Sequence, residues 1–556
     1  MTSPRRFPIP SLLVRSVGLA AIASTAVTGC SADTSAEEAP SSSTTSALAT
    51  SAPDDGRLAG PAPSDTVTVT GGRVRGTVAN GVGTYLGIPF AESPEGARRW
   101  RAPVPRAPWA GVLEAKNQPS ACPQLADDTS DGAAPGAAVF VGKEDCLHLN
   151  VWSPGGTDRP VMVFLHGGGF RRGSATYGMP QIPLYDGEAF ARATGHVIVV
   201  AQYRVGTLGF LGHPGVADGS TVGNFGLLDQ RLALRWVKDN AKAFGGTPSN
   251  VTIFGESAGA MSVCAHMASP GSRGLFHRAI MQSGWCPAVT REVAASVGAT
   301  VTAAAGCDPK ASADAVRRCL EAVDPERLTR AMPKDDGPAL PAAQAYGPVI
   351  DGTVLVERPE ATLARGPEVP LVVGYNREDM PALVFQNTRE EWKTVIAGIT
   401  PPAERWRVEA AYSPLAYGSY ANALGALGTD TTFGCATRRI ARTFSKPNGP
   451  RAYRYVFPFP SIAPIPAFHG IELVFLFQHG SALGPLLANP TVERNLATAW
   501  GSFASKGVPS LPGSTTWMPT SSFFEPTMQL SPHPAPLYGY RNAECDLLER
   551  AGVTMN

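Results

Sequence analysis

The stretch Val251–Ala260, VTIFGESAGA, places a serine between two glycines at the end of a short apolar run. A serine held on a sharp turn can act as a nucleophile, because flanking glycines let the backbone reverse and expose the hydroxyl. Glycine is common here, at 59 of 556 residues, so the bare G-x-S-x-G pattern can also arise by chance. The elements around Ser257 must therefore decide its role.

A second candidate is HGGGF, His166–Phe170, which follows the apolar run 161–165. Three successive glycines allow backbone N–H groups to approach a reacting oxygen, as an oxyanion hole requires. A plain flexible turn is the alternative. A dinucleotide-binding loop fits poorly, because Phe170-Arg171-Arg172 interrupts the glycine spacing.

The elements that must position these residues are short β-rich runs at 161–165, 197–203, 251–254 and 370–373. They are continuously apolar, which is typical of strands buried on both faces of a mostly parallel sheet. Amphipathic stretches such as 226–244 lie between them, and this alternation predicts an α/β fold. Functional groups of such sheets gather past the carboxyl ends of the strands.

Ser257 lies at such a strand end. VTIF is predicted to be the strand, GESAG the turn and 257–269 the helix, which is the arrangement of a nucleophile elbow. The hydroxyl then lies near a helix N-terminus, whose dipole favours a developing anion.

Composition and charge exclude several classes of protein. The chain has 43% apolar and 17% charged residues, as in ordinary globular proteins. Its net charge of +1 indicates no nucleic-acid partner, and no apolar run beyond the N-terminus could span a bilayer. The chain lacks C-x-x-C and any close His/Cys cluster, so we expect neither a metal site nor a cofactor.

The N-terminus predicts export. Arginines precede a weakly apolar stretch, 16–30, that ends VTGC and resembles a bacterial lipobox whose Cys30 becomes lipidated. Ordinary signal-peptidase cleavage after Ala23 or Ala26 is the alternative. The pair Arg5-Arg6 also loosely fits a twin-arginine signal, so the export route stays open.

Three regions follow: a lipoprotein signal peptide at 1–29, a flexible tether at 30–65 and a folded domain at 66–556. The tether is rich in Ser, Thr, Ala and Pro and has no aromatic residue, so it cannot offset its ordering entropy. Nine cysteines are present, and assigning Cys30 to lipid leaves eight that can all pair. We expect an extracytoplasmic, membrane-anchored lipoprotein that contacts the membrane through this anchor only.

Longer blocks resemble the type-B carboxylesterase/lipase family, with its cholinesterase relatives. FGGTPSNVTIFGESAG, 244–259, fits the family's serine-site signature, and EDCLHLNVWSP, 144–154, fits its second signature except at His148. The resemblance extends from about residue 67 to 550. It implies an α/β-hydrolase fold with a central mostly parallel sheet, helices on both faces and long insertions.

The resemblance also implies a triad in the order serine, acid, histidine: Ser257, Asp379 in GYNRED and His469 in AFHGIELVF. Glu378, adjacent to Asp379, is the alternative acid; the alignment of Asn376 with the family's asparagine favours Asp379. The implied oxyanion donors are the N–H groups of Gly168, Gly169 and Ala258.

These residues predict a serine hydrolase of small-molecule carboxylic esters that acts through an acyl-enzyme. The alternatives are a long-chain lipase and a non-catalytic adhesion or binding member of the family. The polar loop after Cys122 argues against a lipase lid, and its lack of tryptophan argues against a choline ester as preferred substrate. The physiological ester and the oligomeric state stay open.

The family's cysteine positions imply the pairs Cys122–Cys146, Cys307–Cys319 and Cys435–Cys545, which leave Cys264 and Cys286 either paired or free. Three further points rest on the resemblance. Arg99 and Glu144 occupy the positions of an ion pair. Glu256 either tunes the pKa of the histidine or is a structural hydrogen-bonding group. Trp285 lines the acyl pocket or belongs to the core.

The lipidation of Cys30 is testable. Replacing Cys30 with Ala should release activity into the medium or leave unprocessed precursor, because the acceptor of the lipid is lost. N-terminal sequencing and mass spectrometry of the native protein provide the measurement. A mature chain that begins at Ser24 or Val27 would contradict the prediction.

Overall fold

The computed structural model describes most of the chain from Gly60 onward. The described residues are 60–127, 137–179, 182–333, 346–446, 448–458, 466–480, 482, 487–513, 515–521 and 523–553. Cys30, the predicted signal peptide and most of the predicted tether lie outside them. Within these ranges no helix is both long and apolar enough to cross a bilayer.

Eighteen strands occur in the described residues, and most of them are short. They are β1 (Thr66–Val69), β2 (Gly72–Arg75), β3 (Thr77–Ala79), β4 (Val82–Pro89), β5 (Val112–Glu114), β6 (Gln124–Asp127), β7 (Ala138–Val141), β8 (His148–Ser153), β9 (Arg159–Leu165), β10 (Gly178–Met179), β11 (Ile182–Pro183), β12 (Val197–Ala201), β13 (Gly246–Glu256), β14 (Arg278–Gln282), β15 (Leu371–Asn376), β16 (Ala452–Phe457), β17 (Thr527–Gln529) and β18 (Ala535–Leu537).

The largest sheet has eleven strands in the order β18-β17-β16-β15-β14-β13-β9-β12-β8-β4-β3. The seven strands from β17 to β12 run parallel to one another. At one edge β18 pairs antiparallel with β17, and at the other β8, β4 and β3 each pair antiparallel with the preceding strand of the sheet. This is the mostly parallel sheet predicted from the apolar runs. The carboxyl ends of the parallel strands all lie at the same end of the sheet, and candidate residues follow β9, β13 and β15 there.

Sixteen α-helices are described. They are α1 (Glu188–Thr194), α2 (Gly206–Phe210), α3 (Phe225–Asn240), α4 (Ala258–Ala268), α5 (Arg291–Ala304), α6 (Ala313–Ala322), α7 (Pro325–Arg330), α8 (Pro359–Arg365), α9 (Arg389–Ile399), α10 (Arg405–Ala411), α11 (Pro414–Tyr417), α12 (Tyr420–Thr429), α13 (Cys435–Arg442), α14 (Ile471–Leu476), α15 (Pro490–Lys506) and α16 (Asn542–Arg550).

Helices cover both faces of the sheet because both faces are apolar. Along β9, Val161, Val163 and Leu165 belong to one core, and Met162 and Phe164 to the other. Leucines of α3 and much of α4 pack in the first core, whereas α1, α14 and α15 pack in the second. Alternate side chains of a strand point to opposite faces, so a continuously apolar strand requires a helical layer on each side.

A smaller core joins the helices inserted between β15 and β16 to the C-terminus. It includes Trp392 of α9, Val408 of α10, Leu424 of α12 and Leu548 of α16. The disulfide between Cys435 and Cys545 lies in the same core.

Four disulfides are present, and together they use every cysteine after Cys30. Three join the pairs expected from the resemblance: Cys122–Cys146, Cys307–Cys319 and Cys435–Cys545. The fourth joins Cys264 to Cys286, the pairing that the sequence left open.

The chain contacts the body just ahead of β1. Gly156 donates its N–H to the carbonyl of Pro61 at 2.8 Å, and the Tyr85 hydroxyl donates to that of Ser64. Contacts with the folded domain are therefore already made inside the stretch assigned to the tether.

Arg99 and Glu144 form a buried ion pair beside the first disulfide. Arg99 Nε lies 2.7 Å from Glu144 Oε2, and the two residues are 6% and 8% exposed. Arg99 Nη1 also donates to the carbonyls of Leu320 at 3.3 Å and Val323 at 2.7 Å. The guanidinium thus links the first disulfide region to the end of α6.

Glu144→Gln should lower the free energy of unfolding by about 3–5 kcal/mol, because it leaves the Arg99 charge buried without its counterion. Thermal and denaturant unfolding measure this loss. Glu368→Gln is the matched control: its pair with Arg273 is 53% and 61% exposed, so the change should stay within about 1 kcal/mol. Equal effects of the two variants would contradict the prediction.

Candidate active site

Ser257 occupies a strained turn between β13 and α4. Its φ of 56° and ψ of −123° lie in a region that non-glycine residues rarely adopt, at a cost of about 1–3 kcal/mol. A Cβ on Gly259 would lie 1.8 Å from the carbonyl oxygen of Leu165, and one on Gly255 would lie 2.5 Å from the carbonyl carbon of Gly259. The glycines of the motif are therefore required where helix and strands meet, and Ser257 is left half-buried at the apex.

His469 is held by a buried carboxylate. Its Nδ1 lies 2.9 Å from Asp379 Oδ1, while Asp379 Oδ2 accepts from the Ser283 hydroxyl at 2.9 Å and the Asn376 N–H at 2.7 Å. The Asp379 side chain is 0% exposed, whereas that of His469 is 36% exposed. An acceptor-only carboxylate at Nδ1 selects the tautomer whose Nε2 can act as a base.

Glu378 points elsewhere. Its Oε2 accepts from the Ala467 N–H at 3.0 Å, its Oε1 lies 2.5 Å from Arg377 Nε, and the side chain is 34% exposed. The structure therefore brings Asp379, and not Glu378, to His469.

Glu256 faces the other ring nitrogen. Its Oε1 lies 3.1 Å from His469 Nε2, and the residue is 5% exposed at the end of β13. No hydrogen bond joins Ser257 Oγ to His469, two residues that both lie in the described ranges. The imidazole ring thus has a carboxylate at each nitrogen, Asp379 at Nδ1 and Glu256 at Nε2.

The glycine loop after β9 lies against the elbow. A Cβ on Gly167 would lie 3.1 Å from Ser257 Cβ and 2.7 Å from Glu256 Oε2. Gly168 and Gly169 have φ of 109° and 64°, and a Cβ on Gly169 would meet no atom within 4 Å. The loop thus opens into free space beside Ser257.

The donors expected at this opening come from two elements. Among the described residues the N–H groups of Gly168 and Gly169 make no hydrogen bond, and Ala258 is the first residue of α4. The first N–H groups of a helix lack intrahelical partners. Tyr203 anchors the loop, since its hydroxyl donates to the His166 carbonyl at 2.6 Å and the two rings stack at 4.1 Å.

The chain is similar to known esterases over most of its length. A model described as the carboxylesterase family matches residues 63–548. The chain belongs to the carboxylesterase family. It is 31% identical to a cholinesterase of Mus musculus over 505 residues, which span 82% of this chain and 81% of the mouse protein. A solved PNB esterase aligns with a TM-score of 0.71 at 31% identity, covering 87% of this chain and 99% of that one.

These comparisons confirm the predicted α/β-hydrolase fold and the predicted class of activity, the hydrolysis of carboxylic esters. In the described part of this esterase no group of three or more His, Cys, Asp or Glu side chains is placed to hold a metal ion.

Acidic groups set the electrostatics around His469. Burial lowers the pKa of His469, but the charges of Glu256 and Asp379 raise it, and the net shift is upward. Burial also raises the pKa of Glu256, opposed by His469 and reinforced by the nearby carboxylates of Glu472 and Asp379. The three acids therefore favour a protonated imidazole.

Glu472 was not anticipated. It lies three residues after His469 on α14, is 0% exposed, and accepts from Gln282 Nε2 at 3.0 Å and from the Asn376 amide. Burial raises its pKa. The glutamate in the FHGIE segment was the available signal, although nothing local to that segment shows that it turns inward.

Two aromatic side chains form a series of ring contacts that ends at His469. The Phe433 ring stacks at 5.0 Å on the ring of His469, and the Trp285 ring lies 5.9 Å from that of Phe433. Phe433 belongs to a π-helical turn, Asp430–Gly434, of a kind that often occurs at functional sites. Its position 36 residues before His469 carries no local signal, so sequence reasoning missed it.

Glu256→Gln should move the acidic limb of the pH profile of kcat/KM to lower pH. A general base must be neutral, and removing a nearby negative charge lowers the pKa of His469. Glu378→Gln is the control, because that carboxylate makes its contacts with Arg377 and Ala467. An unmoved limb in Glu256→Gln would instead assign Glu256 a purely structural hydrogen-bonding role.

Proposed function

We propose that this esterase hydrolyses small-molecule carboxylic esters through Ser257, His469 and Asp379, with an acyl-enzyme intermediate. The observation that carries the proposal is the convergence of three elements: a serine on a strained elbow, a histidine bound to a buried aspartate, and a glycine loop against the elbow.

The first half-reaction uses the three elements in turn. His469 Nε2 takes the Ser257 proton while Ser257 Oγ attacks the ester carbonyl, and Asp379 holds the ring and stabilises the imidazolium. The oxyanion of the tetrahedral intermediate accepts hydrogen bonds from the N–H groups of Gly168, Gly169 and Ala258. Collapse expels the alcohol, which receives the proton from His469 and leaves the acyl group on Ser257.

Water then repeats the sequence. His469 deprotonates the water, whose oxygen attacks the acyl carbonyl, and the new oxyanion accepts hydrogen bonds from the same donors. Collapse breaks the bond between the acyl carbon and Ser257 Oγ, which takes the proton back from His469, and the carboxylic acid is released. Loss of one backbone donor of this kind typically lowers kcat by about 10²–10³.

Choline esters are a second candidate substrate class, favoured by the similarity to the mouse cholinesterase. Against it, the loop between Cys122 and Cys146 contains no tryptophan on which a quaternary ammonium could stack. We therefore propose that the preferred substrates are esters of uncharged alcohols. The same loop is polar, which argues against a long-chain lipase, and the intact candidate triad argues against a purely adhesive role.

Four disulfides indicate an extracytoplasmic protein. To this we add the proposal that Cys30 carries a lipid anchor and that residues up to 59 form most of a tether to the membrane surface.

The nucleophile is tested by Ser257→Ala in a panel of esters that varies acyl length, alcohol size and charge, with a choline ester included. Hydrolysis should fall by about 10⁵–10⁶, since the covalent route is lost. Ser249→Ala, at an exposed position of β13, is the matched control and should stay near the parent rate. Substantial activity in Ser257→Ala would refute the proposal.

The acid is tested by comparing Asp379→Asn with Glu378→Gln, with folding checked for each. Asp379→Asn should lower kcat by about 10⁴, because the amide favours the wrong histidine tautomer. Glu378→Gln should leave kcat near the parent value. The reverse result would place the triad acid one residue earlier.

A further inference from the structure

The fourth disulfide links the two sides of the candidate site. Cys264 lies on α4, seven residues after Ser257, and Cys286 lies four residues beyond the end of β14. They are 0% and 6% exposed. The bond thus joins α4, which begins directly after Ser257, to the segment that follows β14, the strand beside β13 in the sheet.

That segment, Gln282–Cys286, is here called the β14 turn. It binds the nucleophile: the Ser257 N–H donates to the Gln282 carbonyl at 2.9 Å. It also binds the acid, since the Ser283 hydroxyl donates to Asp379 Oδ2 at 2.9 Å. One turn of five residues therefore holds two members of the candidate triad.

The turn reaches the third member through aromatic rings. Trp285 adjoins Cys286 and packs on Phe433 at 5.9 Å, and Phe433 stacks on His469 at 5.0 Å. A shift of Cys286 would consequently be transmitted to the rings behind the imidazole.

The β14 turn is itself strained and closely packed. Ser283 has φ of 49°, and a Cβ on Gly284 would lie 2.5 Å from Cβ of Ala260 on α4. A strained backbone conformation of this kind persists only where several surrounding contacts hold it in place. Among the described contacts the disulfide is the covalent one between this turn and α4.

We infer that the Cys264–Cys286 disulfide is a positioning element of the esterase, which holds the β14 turn so that Ser257, Asp379 and His469 keep their relative placement. This inference rests on the proposed triad. It differs from a general stabilising role, because a cross-link that only stabilises the fold affects the unfolding midpoint and leaves kcat of the folded enzyme intact.

The first experiment compares Cys264→Ala/Cys286→Ala with the matched control Cys307→Ala/Cys319→Ala, which removes another short-range disulfide, the one that joins the loop after α5 to α6. Assays are run well below both unfolding midpoints. The first variant should show kcat about 10- to 100-fold lower at a nearly unchanged KM, as expected for misplaced catalytic groups. The control should lower the midpoint while kcat stays within about two-fold of the parent.

A double-mutant cycle separates a positioning role of the disulfide from a purely stabilising one, because a purely stabilising bond would not change the effect of another substitution on kcat. Ser283→Ala removes the hydrogen bond to Asp379, and its effect on kcat should be clearly smaller in the Cys264→Ala/Cys286→Ala background than in the parent, since both changes disrupt one contact. Full additivity of the two effects, or parental kcat in the first variant, would overturn the inference.

Should the double-alanine variant fail to fold, Cys264→Val/Cys286→Ala refills part of the buried volume and carries the same test. Trp285→Leu, which retains the disulfide, should also lower kcat; an unchanged kcat there would overturn the inference. Failure of the triad itself is distinguishable, because Ser257→Ala would then remain active.

Discussion

The contact between the start of α4 and the end of β9 is the constraint on which the site depends. The helix begins so close to the strand that Gly259 has space for a hydrogen atom and not for a methyl group beside the Leu165 carbonyl. At the same junction Ser257 has a positive φ, and the glycine loop lies against its side chain. Ser257 and the proposed oxyanion donors therefore lie together where β9, β13 and α4 meet.

A second constraint is the crowding of acids around His469. Burying Glu256, Asp379 and Glu472 close together is unfavourable, and it is tolerated because each accepts hydrogen bonds or faces the imidazole. These negative charges stabilise the imidazole most when it is positively charged, which in the proposed mechanism is after it has taken the proton of Ser257. The same charges resist release of that proton, so the arrangement favours the transition state at the expense of the resting base.

Local patterns predicted the elements well and the long-range contacts poorly. The continuous apolar runs identified β9, β12, β13 and β15, although β13 begins at Gly246, earlier than VTIF, because residues such as Gly246 pair with β9. The amphipathic stretch 226–244 corresponds to α3 followed by a tighter 3₁₀ turn, Ala241–Phe244. Glu472 and Phe433 were missed, since their contacts at the candidate site join segments far apart in sequence. The pairing of Cys264 with Cys286 stayed open, because the sequence does not give the distance between α4 and the segment after β14.

The position of the fourth disulfide follows from this same architecture. Ser257 and Asp379 arrive on separate strands, β13 and β15, and β14 lies between them in the sheet. The turn after β14 therefore lies between Ser257 and Asp379: its Gln282 carbonyl accepts from the Ser257 N–H, and its Ser283 hydroxyl donates to Asp379 Oδ2. Hydrogen bonds alone leave such a turn free to shift with each neighbour. A covalent bond from it to α4 ties the turn to the helix that the nucleophile begins, so the strain at Ser257 and the placement of Asp379 are maintained together.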